Sequence, residues 1–272
     1  MQFKKQEIHT VFLCFLNFYL DQNLSASALT DLIRTSLIYN MKRKRNFSGN
    51  LTNQETVGGI CYLVLQILFL PGLLDWANRQ LSSPLSSPEL NFLFFLINFI
   101  AILLIFHDFL GHSLRQVFQH PAICCQAVIL GFVAYYACST ITNWAVGLLV
   151  PGFSNYNDAA VAAMLKSSPF LMLVGTVVLV PPVEECLYRG LIFRNLYGKS
   201  PWAAYIVSIL AFAVIHILGY IGQYSALELV MAFLQYLPAG LCLAWAYTKS
   251  DTVFTPIIIH AAINYVSING LR

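Results

Sequence analysis

The segment Pro181-Pro182-Val183-Glu184-Glu185-Cys186-Leu187-Tyr188-Arg189 places two adjacent carboxylates and a guanidinium inside an otherwise apolar stretch. Further along, Phe212-Ala213-Val214-Ile215-His216 and His260-Ala261-Ala262-Ile263-Asn264 put two imidazoles and an amide into surroundings just as apolar. These side chains suit hydrolysis. A carboxylate beside an imidazole can take a proton from water, and an amide N–H can face the negative charge that develops when water attacks a carbonyl.

Glu185 and Arg189 stand i,i+4 on a helix, as do His260 and Asn264, so each pair shares a face. Glu184 points about 100° away from Glu185 and is left for chemistry. The bland reading of Glu185 and Arg189 is a packing ion pair; that of Glu184 is a solvated helix end. For each histidine taken singly, it is a hydrogen-bonded core residue. The paired prolines suit a first helical turn, so the sequence suggests that the span breaks there and a new helix starts at the glutamates, whose charge its N-terminus would favour.

The elements that must hold these groups are membrane helices. Of 272 residues, 58% are hydrophobic and only 10% charged, where a globular domain carries about a quarter charged. A single water-soluble core could not hide that much apolar surface. Seven stretches approach the roughly 20 residues a span needs: approximately 57–76, 90–107, 123–150, 169–196, 201–220, 226–248 and 252–270. Unpaired backbone is not tolerated in lipid, so all are read as helices. The fold class is therefore all-α and polytopic, with the polar cluster on helices four, five and seven. An ionisable group at membrane depth points to function by default.

Seven of the fifteen Lys and Arg precede residue 57, which places the start of the first span in the cytoplasm. That threading puts Arg115, Arg194, Lys199 and Lys249 inside, and Arg79, Lys166 and Arg272 outside. Residues 1–56 read as a basic, cytoplasmic extension and 57–272 as the membrane domain. The apolar run Ile8 to Leu20 lacks a cleavage signal, and Met41, followed by Lys42-Arg43-Lys44-Arg45, reads as the initiator, a point for N-terminal sequencing. The net charge of +3 is small and its basic residues are scattered after residue 45, so no nucleic-acid footprint is present. The seven cysteines form no CxxC pair and read as buried hydrophobes. Leu81 to Pro88 and Pro151 to Ser168 read as loops, the second with a short helix over Asp158 to Lys166. His9, His107, His112 and His120 look unremarkable, with His107 and Asp108 an interfacial pair. His260 counts out shallower than Glu184 and His216 by roughly 9 Å at the helical rise, a gap that tilt or a break at Pro256 must close.

The ordered trio Glu-Glu-x-x-x-Arg, Phe-x-x-x-His and His-x-x-x-Asn, over residues 123–270, resembles the signature of the CAAX-protease and bacteriocin-processing family. The resemblance implies a glutamate-dependent intramembrane endopeptidase, in which Glu184 and His216 activate water. Asn264 would then stabilise the oxyanion with His260 beside it, while Glu185 and Arg189 hold the local structure. It implies no cofactor, although the family has also been classed as metalloprotease and Glu184, His216 and His260 would be the ligands of a zinc; the HExxH motif is missing. Partners would be membrane lipid and a peptide or prenylated-protein substrate, with no nucleic acid, approached from the cytoplasmic side. The setting would be the plasma membrane in a bacterium or the endoplasmic reticulum in a eukaryote. Two other classes compete. One is a non-catalytic bacteriocin self-immunity or scaffold protein; the other is a transporter or proton relay, which the missing internal repeat disfavours.

Overall fold

The computed structural model describes residues 47–271, and of Leu271 the backbone only. The run Lys42 to Arg45, His9, Cys14, Arg272 and the start-site expectation at Met41 lie outside the described residues. All regular structure within them is helical: α1 (Asn53–Leu68), α2 (Leu70–Arg79), α3 (Ser87–Ile105), α4 (His107–Gln119), α5 (Pro121–Leu149) and α6 (Tyr156–Ser167) come first. A composite helix α7 (Pro169–Tyr197) follows, then α8 (Pro201–Leu218), α9 (Ala226–Ser250) and α10 (Phe254–Leu271).

Local sequence explains most boundaries. Thr52 with Glu55, Ser86 with Glu89 and Ser225 with Glu228 form reciprocal capping boxes that start α1, α3 and α9, each satisfying backbone N–H groups that a helix start leaves free. Asp251, at φ 57°, ends α9 in the left-handed conformation. Pro71 falls at the start of α2 and cannot donate to the preceding turn, and α2 is bent 50° from α1.

Five helices (α3, α5, α7, α8 and α9) are long and apolar enough to cross a membrane, or six if the bent pair α1–α2 counts as one span. The seven spans expected from sequence are thus not all matched. The first is broken at Phe69, and the last, α10, carries His260, Asn264 and Asn269 along its length. Helix α4 was not anticipated. Its polar sequence lies between two spans, with His107 and Asp108 paired at 3.0 Å near its start. The loop expected from Pro151 to Ser168 does contain its helix, α6.

Burial is the reverse of a water-soluble protein. Trp202 is 79% exposed and Leu104 73%, while Glu185 and Arg189 are 0% exposed. That arrangement fits lipid as outer solvent, since ionisable groups in a span face the bundle interior. The cysteines Cys61, Cys124, Cys125, Cys138, Cys186 and Cys242 are free thiols.

The bundle has two distinguishable ends. At one, the Phe47 ring stacks on Tyr247 with centroids 4.7 Å apart, and the Ser48 N–H donates to Asp251 at 3.0 Å. Residues 47–56, expected to belong to the extension, therefore pack into this unit. Lys199 and Lys249 follow α7 and close α9 at this end. At the other end, Tyr156 at the start of α6 stacks on Tyr224 between α8 and α9, with centroids 3.3 Å apart.

Helix α7 positions the carboxylates in a way the sequence did not suggest. The paired prolines do not break it. Instead, π-helical turns at Gly175–Leu179 and Cys186–Phe193 flank the α-helical Val180–Glu185. The glutamates thus close the α-helical stretch inside a continuous span, not at a helix N-terminus. The wider π turns absorb the prolines: the Val180 N–H reaches back five residues to Gly175, and Pro181 and Pro182 have no N–H to give. The Thr176 carbonyl, left without that donor, accepts from Asn264 Nδ2 of α10 at 2.8 Å. Turns of this kind recur at functional sites.

Candidate active site

Glu185 faces inward and is fully buried. Its Oε1 accepts from Arg189 Nη1 at 2.9 Å and from His260 Nδ1 at 2.9 Å. The Arg189 guanidinium also donates to the Gly240 carbonyl at 3.1 Å and lies 4.6 Å from the centroid of the Phe212 ring, a cation–π contact. The i,i+4 pair expected from sequence is present. It does more than stabilise α7, because Glu185 also fixes the His260 ring of α10.

Glu184 turns the other way. Its side chain is 21% exposed, and its Oε2 is buried with no hydrogen-bond partner. Two imidazoles approach that oxygen: His216 Nε2 at 3.8 Å and His260 Nε2 at 3.9 Å. The other nitrogen of each ring is already committed. His216 Nδ1 lies 2.7 Å from the Phe212 carbonyl oxygen, which can only accept, so Nδ1 carries the proton; the same holds for His260 Nδ1 against the Glu185 carboxylate. In neutral rings both Nε2 atoms are therefore acceptors. Three acceptors, two nitrogens and a carboxylate oxygen, converge on one point.

The depth gap counted for His260 is closed. Pro256 lies in the first turn of α10 rather than at a break, and His260 Nε2 nevertheless comes within 3.9 Å of Glu184 Oε2. Asn264, one turn beyond His260, lines the same cavity. One of its amide N–H groups is spent on Thr176, which leaves the second uncommitted. Glu184, His216, His260 and Asn264 thus come together, with Glu185 and Arg189 behind them.

Sequence reasoning missed several neighbours. The Tyr236 ring of α9 stacks on His216 with centroids 4.2 Å apart and planes 25° off parallel. Its hydroxyl donates to Asn155 Oδ1 at 3.3 Å. Asn155 Nδ2 donates to Gln235 Oε1 at 2.9 Å, and Gln235 Nε2 to Asn143 Oδ1 at 3.0 Å. Only polar residues inside apolar helices could have signalled this ladder, and Asn143 and Gln235 are two such residues. Together with the catalytic candidates they line a cavity of about 550 Å³ that runs from Glu184 to Gly152 and Phe153, in the loop before α6. That is the end opposite Lys199 and Lys249.

Glu184, His216 and His260 are the donors a zinc ion would need at this point. Ligand atoms of a tetrahedral zinc with bonds near 2.0–2.1 Å lie about 3.3 Å apart, whereas Glu184 Oε2 stands 3.8 and 3.9 Å from the two nitrogens. Among the described residues, no three His, Cys, Asp or Glu are disposed to hold a metal ion. The donor set in this arrangement does not fit the ion.

Residues 166–266 match the family described as "Type II CAAX prenyl endopeptidase Rce1-like". The chain is 26% identical over 115 residues to the "Putative membrane peptidase YdiL" of Bacillus subtilis (strain 168), covering 42% of each chain. It is 28% identical over 140 residues to "UPF0177 protein YbdI" of Lactococcus lactis subsp. lactis (strain IL1403), covering 50% of this chain and 71% of that protein. The chain therefore spans less than half the length of the first relative. No solved structure matches it. The matched segment holds Glu184, His216, His260 and Asn264, and over it this integral membrane chain is similar to the Rce1-like type II CAAX prenyl endopeptidases, a family of membrane proteases.

Proposed function

We propose that the chain is an intramembrane endopeptidase that hydrolyses a peptide bond of a membrane-associated or lipidated substrate, with water activated by Glu184 and His216. The observation that carries this reading is the buried, unpartnered Glu184 Oε2 facing two imidazole acceptors. A water molecule supplies what this trio lacks, two donated hydrogens. One goes to Glu184 and the other to His216 Nε2, which leaves the oxygen lone pair free to attack.

The steps balance without a further reactant. The water oxygen bonds to the peptide carbonyl carbon while Glu184 takes one of its protons. The carbonyl oxygen becomes an oxyanion facing the second N–H of Asn264. The C–N bond then breaks as the nitrogen takes the proton from Glu184. The products are a new carboxyl and a new amine, and Glu184 returns to its ionised form. Glu185 holds His260 in the tautomer that keeps its Nε2 toward the same point.

Two substrate classes suit the site: a prenylated C-terminal tail, or a small secreted or signalling peptide. An apolar groove of about 630 Å³ between α5, α8 and α9, lined by Ile141, Leu149, Ile209 and Leu237 among others, shares Val146 with the catalytic cavity. It supports a substrate with a lipid chain or an apolar stretch near the cleaved bond. The course of the cavity toward the less basic end, and the bacterial origin of both relatives, favour the second class and a plasma-membrane setting.

The test is cleavage by the purified protein in lipid nanodiscs, using dye-labelled membrane peptides, alongside Glu184→Gln. We expect wild-type cleavage insensitive to o-phenanthroline, and a loss of about 10²–10⁴-fold in the variant with the melting temperature unchanged. Equal cleavage by both proteins, or by neither, overturns the reading; abolition by the chelator alone overturns its metal-free form.

A further inference from the structure

The cavity contains a second carboxylate that the hydrolytic machinery does not use. Asp158 lies in the first turn of α6 and lines the cavity toward its mouth. Its neighbour Asn155 caps that helix, accepting the Asn157 N–H at 3.0 Å, and is itself tied to Gln235 and Tyr236 of α9. The turn carrying Asp158 is thereby anchored to the cavity wall.

Asp158 forms no hydrogen bond or salt bridge with any described residue. Asp158 is an exposed residue at the cavity lining, and the part of its surroundings that excludes water pushes its carboxyl above the usual range. Among the described residues, no Lys or Arg lines the cavity; its charged and titratable members besides tyrosine are Asp158, Glu184, His216 and His260. The tyrosines facing Asp158 are Tyr135, Tyr220 and Tyr236, all neutral near pH 7. A site with two carboxylates and no fixed cation is electrostatically incomplete. Complementary charge is a main source of specificity, and Asp158 is the carboxylate of this lining that solvent and an entering chain reach most freely.

We propose that Asp158 recognises a cationic group, a Lys or Arg side chain of the substrate peptide, lying between the mouth of the cavity and the bond presented to Glu184. This rests on the endopeptidase reading and adds the substrate class: an apolar peptide with a basic residue close to its cleavage site. The ladder Asn143–Gln235–Asn155 has unused amide hydrogens along the same wall for the peptide main chain. Electrostatic contact between Asp158 and His216 keeps the basic residue near the catalytic end.

The experiment uses full-length protein in nanodiscs and Leu/Ala-based peptides in which a single Lys is moved along the chain, each paired with the same peptide carrying Gln. At the favoured position the Lys peptide should have a kcat/KM about tenfold above its Gln counterpart, the scale of one charge-assisted contact. Asp158→Asn should bring the two peptides to within about twofold, and Asp158→Lys should favour a third peptide, carrying Glu at the same position, over both. The proposal is overturned if wild type shows no Lys preference at any position, or if Asp158→Asn keeps the preference. Binding of the labelled peptides to Glu184→Gln, with and without Asp158→Asn, separates this idea from the enzymatic reading. A Lys preference in binding that Asp158→Asn removes upholds the Asp158 assignment even if nothing is cleaved, whereas equal binding of the Lys and Gln peptides overturns it.

Discussion

Two neighbouring carboxylates on α7 sit in opposite surroundings. Behind the helix, Glu185 is fully buried, and a single oxygen takes both the Arg189 guanidinium and the His260 imidazole. In front, Glu184 Oε2 has no partner and looks into a cavity whose wall carries Asn143, Gln235 and Asp158. The rear pairs its charge through Glu185 Oε1 in a dry interior, although Glu185 Oε2 there has no hydrogen-bond partner, whereas the front leaves a carboxylate oxygen unsatisfied beside the cavity where a substrate can enter. A single residue step, about 100° around the helix, thus separates support from chemistry. Active groups in general need such a backing, since reacting side chains stay in register only if others lock them.

The sharpest way to break this contrast is Glu185→Ala. It leaves Arg189 as an uncompensated buried charge, a change that costs about 3–5 kcal/mol, and should abolish most folded protein in a thermal melt. Wild-type stability for that variant would mean the rear is not the support inferred here. On the cavity side, His216→Ala should lower kcat by about 10²-fold or more while moving the melting temperature little. A large loss of stability with unchanged turnover in the survivors would reassign His216 to the core.

Asn264 belongs to both regions, so its variant sharpens the boundary. Asn264→Ala strips the Thr176 carbonyl of its donor, at about 1–3 kcal/mol, and also removes the oxyanion N–H. Both stability and kcat should fall. If kcat holds while the melt shifts, its role is confined to the proline-freed carbonyl.

Much of the site was legible because membrane helices give ionisable residues so few places to go. Glu184, Glu185, Arg189, His216, His260 and Asn264 stand out against Leu, Ile, Val and Phe, and i,i+4 spacing correctly paired Glu185 with Arg189. The same logic misled at Pro181 and Pro182, where it suggested a helix start. Proline removes a donor, but whether a helix breaks depends on what else satisfies the freed carbonyl, and here that is Asn264 from a helix more than eighty residues later. Asp158 reads from sequence as part of a short surface helix, and it is exposed on α6; that the same helix also borders the cavity is not a property of its local sequence.

The sequence by itself determined the all-helical, lipid-facing character of the chain and the identity of the polar groups, because composition and helical period are local properties. It could not decide which of the two glutamates would be free, which imidazole nitrogen would face it, or where the cavity would open. Those depend on partners supplied by α8, α9 and α10 to α7, contacts between residues far apart in the chain that only the packed bundle brings together.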